Sequence, residues 1–308
     1  MPTSFNTTLT AFTHFLTAYI HSICYYRHLY PPDSFLRTRF HNTPAYQSLH
    51  PDVCQWILDA VSAVKDELNK GTIARLAIVL FHPGFSPAPY ADPYGDSPSG
   101  EVKVLERYIL DVSAFPALTR EQRFMDIAYE KSEEDIRAER DAQAAADEAL
   151  ARELAAEEEA LFLGKPVPKR KVQVPAAEDP VAVDLSEQFR AAFIMLATRT
   201  SQLEGLPRGC SFNVSMELRE EADVDPPLGH PQRWMPSQPS LQRTGRRGAQ
   251  LEDYGRREGA DLGGARVTPI RTVEAGVLRF EAWIEEGRAK FETKWPEPSS
   301  VESEAYDW

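Results

Sequence analysis

Residues 184–216 read DLSEQFRAAFIMLATRTSQLEGLPRGCSFNVSM, and this stretch decides the fold. Asp184 is a good N-cap and Glu187, three residues on, completes a capping box. Phe189, Ala192, Phe193, Leu196 and Leu203 recur at helical spacing, with Leu185, Ile194 and Met195 widening the apolar face. Pro207 and Gly209 break the helix. Cys210, Phe212, Val214 and Met216 then alternate with Ser211, Asn213 and Ser215, the period of a half-buried strand. A buried helix feeding a strand is a core nucleus on which the preceding chain packs.

Working outward, the spacing of Leu9, Phe12, Leu16, Tyr19, Ile23 and Tyr26 predicts a first helix over 5–28, stopped by Tyr30-Pro-Pro32. Six threonines among the first seventeen residues of the chain weaken the intrinsic propensity here, so tertiary packing must hold the helix. Residues 33–50 read as irregular, anchored by Phe35 and Phe40. His50-Pro51 opens a second helix to about Asn69, capped by Gly71, with Val53, Trp56, Ile57, Ala60, Val64 and Leu68 on one face. The apolar run Leu76–Phe81 predicts a strand covered on both faces, and residues 101–112 a strand pairing with it across the polar loop 82–100.

The next stretch changes character. Between Asp126 and Glu159 stand thirteen acidic and four basic residues, −9 of the chain's net −13, so the acidic bias is local. Residues 113–183 therefore read as an exposed or partly disordered acidic, Ala-rich insertion, ending in a Pro-rich linker that carries Lys169-Arg170-Lys171. That short basic cluster reads either as a nuclear import signal or as a solvated linker. Residues 236–264 read as a flexible Arg/Gly-rich insertion, Val267–Ile270 and 277–284 as returning structure, and 296–308 as a disordered acidic tail.

The chemistry of the chain argues for binding rather than catalysis. No HExxH, GxSxG, P-loop or strand–GxGxxG–helix unit is present. Cys24, Cys54 and Cys210 are odd in number and widely spaced, which disfavours disulfides and structural zinc and fits a reducing compartment. His14, His21 and His28 recur every seven residues, about 10 Å of helical rise per step, too far for one ion, and read as a partly exposed helix face. No metal, cofactor or catalytic residue is expected. Thirty-four basic against forty-seven acidic residues disfavour direct nucleic-acid binding, and no apolar run is long enough to span a membrane.

Several motifs in order resemble the HORMA domain of the accessory, non-catalytic subunit of DNA polymerase zeta. They are Tyr30-Pro-x-x-x-Phe35, Asn42-x-Pro44, His50-Pro51 before the Trp56 helix, Gly209-Cys-x-Phe-x-Val214, Arg266-Val-x-Pro-Ile-Arg271-Thr, and Leu278-x-x-x-x-Trp283-x-Glu285-Glu286. The resemblance runs through 5–112, 184–235 and 265–286. It implies an α+β fold: a mostly antiparallel sheet packed on three helices, built from 1–112 and 184–295 as one HORMA domain, with a C-terminal safety belt over about 220–290.

The resemblance also implies a function. The belt closes over a Pro-containing peptide of the polymerase zeta catalytic subunit, which lies as an added strand on the sheet edge. Trp56, Trp234, Phe212 and Val214 stand at the peptide-binding positions, although Trp56 reads equally well as a core residue. Val267, Glu281 and Trp283 stand where the family binds the C-terminal domain of the scaffold translesion polymerase, with Leu, Gln and Tyr common there. Arg190 falls one residue from the family's dimerising arginine, making a second HORMA subunit another partner. The implied role is a nuclear adaptor in DNA damage tolerance, with the cytoplasm as a second location. The alternative is a HORMA adaptor of a spindle-checkpoint or meiotic-axis complex.

Overall fold

The computed structural model describes residues 4–83, 102–125, 180–219 and 262–292, with isolated positions at 127, 137, 140, 141, 144, 234, 235, 237 and 241. The chain forms two compact units, one of Thr3–Met125 and Pro180–Trp308, the other of Asp126–Asp179. Every helix and strand named below belongs to the first.

Helix α1 (Phe5–Tyr26) is the centre of that unit. Ser4 caps it, its side chain accepting from the Thr7 amide. The threonine hydroxyls bond back to carbonyls three or four residues earlier, Thr8 to Ser4, Thr10 to Asn6 and Thr17 to Thr13. With these groups satisfied, the helix buries Phe5, Leu9, Phe12, Phe15, Leu16, Tyr19, Ile20 and Ile23. His21 is buried as well, a correction to the exposed face expected for the histidine series: its Nδ1 accepts from the Ser48 amide at 3.3 Å. Burial pushes its pKa down to about 4.

The residues expected to be irregular form a two-stranded hairpin, β1 (Phe35–Phe40) and β2 (Thr43–Ser48). His41 and Asn42 form its tight turn, both with positive φ. The polar run Leu-Arg-Thr-Arg and Pro44 hide its alternation. Helix α2 (Pro51–Lys70) follows, with Pro at its start and Gly71 closing it in the left-handed conformation.

The main sheet has the order β5-β3-β4-β7-β6, and every pair is antiparallel. Its strands are β3 (Ile73–His82), β4 (Lys103–Asp111), β5 (Ser211–Leu218), β6 (Arg266–Ala275) and β7 (Leu278–Glu286). Leu76, Ile78, Leu80, Tyr108, Leu110, Val214, Phe280 and Ile284 face the core formed with α1 and α3 (Pro180–Thr200). An aromatic cluster joins the layers: Phe15 stacks on Phe189 at 4.6 Å and meets Phe193 and Phe280 at 5.4 and 5.6 Å.

Two expectations need correction. Helix α3 begins at Pro180, so Asp184 lies inside it instead of capping it. The insertion cannot start at 113, because Phe115 is buried edge-on to Phe12 and Arg219 donates to the carbonyls of Ser113 and Phe115. The chain after 265 supplies core residues of its own: Ile270, Val273, Ala275, Leu278, Phe280, Ala282 and Ile284 are buried. A register shift between Pro269 and Arg271 disguises their alternation in the sequence.

Candidate functional site

Strand β5 is an end of the main sheet, and among the described residues only β3 pairs with it. Among the described residues no strand covers its other edge, the requirement for adding a strand. The Val214 amide donates to the side-chain Oδ1 of Asn213 at 2.8 Å, so a carboxamide satisfies one donor of this strand. Trp56 of α2 stands beside the edge, half-buried, with its ring edge-to-face on Phe212 at 5.0 Å. Phe212 and Val214 point into the core, at 9% and 6% exposure. What β5 can offer a ligand at these two positions is backbone. Trp234 is half-buried against the same core, whereas Met235 beside it is 82% exposed.

The opposite end of the sheet is the β6–β7 hairpin, with β7 on β4. The chain thus leaves β5 at one edge and re-enters at the other. A buried polar network fastens this hairpin. Arg27, at the end of α1, donates through Nε and Nη2 to both oxygens of Glu106 on β4, at 2.9 and 2.7 Å, and through Nη2 to the Glu204 carbonyl at 2.6 Å. Lys290, in the short helix α4 (Ala289–Glu292), donates to Glu106 and to Glu286 at 2.6 Å each. The Tyr108 hydroxyl donates to Glu106 as well, and burial with that carboxylate beside it holds its pKa well above the ordinary range.

Two cations and two carboxylates therefore balance in a site sealed from water, with side chains at most 5% exposed. Gly287 completes the seam. Its amide donates to the Leu105 carbonyl at 2.7 Å, and a β-carbon there would lie 2.4 Å from the Val104 carbonyl oxygen. Sequence reasoning missed this network. Its only signal is a glutamate inside the apolar stretch 102–112.

The sheet face away from the core carries the second set of expected residues. Cross-strand partners Val267 and Glu285, Pro269 and Trp283, and Thr272 and Glu281 align there in successive rows. Val267 is 56% exposed, and Glu281 is exposed beside Arg279. The Trp283 indole donates to Glu285 at 2.9 Å, and the Arg75 guanidinium lies 5.9 Å from its ring centre. Arg75 also pairs with Asp111 and Glu217, and Arg107 with Glu285. Arg75, Arg107, Glu217, Trp283 and Glu285, with Ile109, Leu262 and Gly263, line a cleft of about 140 Å³. Val267, Glu281 and Trp283 thus share one face of the sheet, at the opposite end from Trp56, and of the three only Trp283 lines the cleft.

Arg190 lies on α3, half exposed and paired with Glu187 at 3.8 Å. Lys169, Arg170 and Lys171 lie outside the described residues. Among the described residues no cluster of histidine, cysteine and acidic groups fits a metal ion, and no helix is long and apolar enough to cross a membrane.

Comparison with known proteins adds a family. The HORMA domain model matches residues 8–237. The DNA polymerase zeta processivity subunit of Schizosaccharomyces pombe is 35% identical over 71 residues, 23% of this chain and 33% of that protein. The mitotic spindle assembly checkpoint protein MAD2B of Homo sapiens is 33% identical over 58 residues, 19% of this chain and 28% of that protein. The matched stretch thus spans about a third of the length of these relatives. Among solved structures, the chain aligns with one from the mitotic checkpoint complex at TM-score 0.49 and 14% identity, covering 90% of this chain and 97% of that one. It aligns with Caenorhabditis elegans HTP-2 bound to the HIM-3 closure motif at TM-score 0.47 and 9% identity, covering 92% of each.

Proposed function

This chain belongs to the HORMA-domain family, and we propose that it is the non-catalytic adaptor subunit of a DNA polymerase zeta, acting in translesion synthesis. It captures an extended, Pro-containing segment of the catalytic subunit along the free edge of β5. The observation that carries this reading is that edge itself, unpaired among the described residues and flanked by the half-buried Trp56. An incoming strand takes over the Val214 amide from Asn213 and exchanges main-chain hydrogen bonds with β5. Trp56 and Trp234 supply large, rigid apolar contacts to the prolines at little cost in side-chain entropy. Residues of about 220–290 act as the belt that holds the peptide, and the buried Lys290 network anchors the belt's far end.

On this reading the outer face at Val267, Glu281 and Trp283 receives the C-terminal domain of the scaffold polymerase. Arg190 contributes to pairing with a second HORMA subunit, and Lys169–Lys171 directs the chain to the nucleus. The name of the fission-yeast relative supports the polymerase assignment. The experiment is co-expression with a tagged Pro-containing segment of the same organism's polymerase zeta catalytic subunit. Wild type should co-purify stoichiometrically, and Trp56→Ala and Trp234→Ala should each weaken capture. Folded, monodisperse wild type that fails to bind would overturn the assignment.

A second reading rests on the relatives named as spindle assembly checkpoint proteins. The same edge then clamps a peptide from a checkpoint or meiotic-axis partner. Capture of such a peptide in preference to the polymerase segment would favour it.

A further inference from the structure

The β1–β2 hairpin stands outside the five-stranded sheet, and β1 is its exposed member. Among the described residues β1 pairs only with β2, so its other backbone edge is unpaired. Leu36, Arg37, Thr38 and Arg39 are all exposed, while β2 carries the packing through Thr43, Ala45 and Ser48. Over Leu36–Arg39 the strand is bare on one edge and on both faces, a template for further pairing. Its side chains alternate, with Leu36, 55% exposed, and Thr38 on one side and Arg37 and Arg39 on the other. Arg37 and Arg39 make no ion pair among the described residues, so both guanidiniums are available to an acidic partner. Two neighbouring guanidiniums without an acidic partner among the described residues make a small positive patch on this strand.

We propose that the outer edge of β1 is a docking site for an extended acidic segment of a partner protein, added to the hairpin as a third strand. Acidic side chains two residues apart meet Arg37 and Arg39, and the residue between them faces the side of Leu36 and should be apolar. The edge favours a protein over a nucleic acid. Its backbone groups are matched only by another strand, Leu36 has no counterpart in a phosphate chain, and two cations are few for a phosphate footprint.

The probe is a fluorescein-labelled peptide, Gly-Ser-Val-Glu-Val-Glu-Ser-Gly, titrated with the full chain and followed by anisotropy. Saturable binding is expected, weakening with added salt and by about tenfold or more in Arg37→Glu/Arg39→Glu. Changing the peptide's glutamates to lysines should restore binding to that variant. Should the charge reversal disturb folding, Arg37→Gln/Arg39→Gln should still weaken binding. Absence of binding, or affinity indifferent to both variants, would overturn the proposal. So would a labelled oligothymidylate that binds through the same arginines while the peptide does not.

Discussion

Lys290→Met is the sharpest perturbation of the hairpin's attachment. The ammonium sits 2.6 Å from Glu106 and 2.6 Å from Glu286, with both partner side chains at most 3% exposed. Glu106 keeps Arg27 in the variant, but Glu286 loses its only cation in the network while remaining sealed from water. Breaking a buried pair in this way costs about 3–5 kcal/mol, because the charge left behind is uncompensated. For a domain of this size that corresponds to a fall in Tm of roughly 6–20 °C. Adding Glu286→Gln removes the orphan charge and leaves the balanced Arg27–Glu106 pair, so the double variant should recover to within about 1–2 kcal/mol of wild type. The assay is urea denaturation of wild type, both single variants and the double, read as a double-mutant cycle. Amide exchange of β7 should accelerate in Lys290→Met before exchange in α1 does. A loss below about 1 kcal/mol for Lys290→Met, or strictly additive losses in the double variant, would refute the reasoning.

Other outcomes follow from single contacts. His21 is neutral when folded, with its pKa down at about 4, and titrates near 6.5 when unfolded. The unfolded chain binds more protons between those values, so stability should fall by up to ~3 kcal/mol as pH drops from about 6.5 to 4. Denaturation curves across that range should flatten in His21→Gln; an unchanged slope would assign the effect elsewhere. Gly287→Ala should cost about 2 kcal/mol by forcing the chain off the Val104 carbonyl, measured as a lower denaturation midpoint. Trp56→Ala should weaken capture of the Pro-containing peptide by about 2 kcal/mol, roughly thirtyfold, in a titration, while the chain stays folded. Replacing Asp126–Asp179 with a flexible linker should leave folding and peptide capture intact, and loss of soluble protein would show that the segment belongs to the core.

Long periodic segments were legible in the sequence. The three long helices and strands β3, β4 and β5 follow from spacing, because each buries one continuous apolar stripe or run. The β1–β2 hairpin was not legible: its exposed Arg-Thr-Arg run follows solvent, and its turn is made by His41 and Asn42 in place of the usual glycine. The β6–β7 hairpin was only half legible, since a register shift at Pro269 breaks its alternation. At the site, Trp56 and Phe212 were named from the resemblance, and the structure brings them into ring contact. The inward direction of Phe212 and Val214 was not legible from types alone, because an edge strand buries one face however it uses its edge. The Arg27–Glu106–Lys290–Glu286 network was invisible for a different reason. Its members are far apart in the chain, and each looks like an ordinary charged residue until the fold removes water from around it.

In the proposed function, β5 accepts a partner strand. Amide exchange over Ser211–Leu218, with and without a bound Pro-containing segment of the polymerase zeta catalytic subunit, tests it most directly. Strong new protection along β5 is expected, concentrated at alternate residues, with the Val214 amide among those slowed. A segment that binds tightly while β5 exchanges as fast as in the free chain would contradict it.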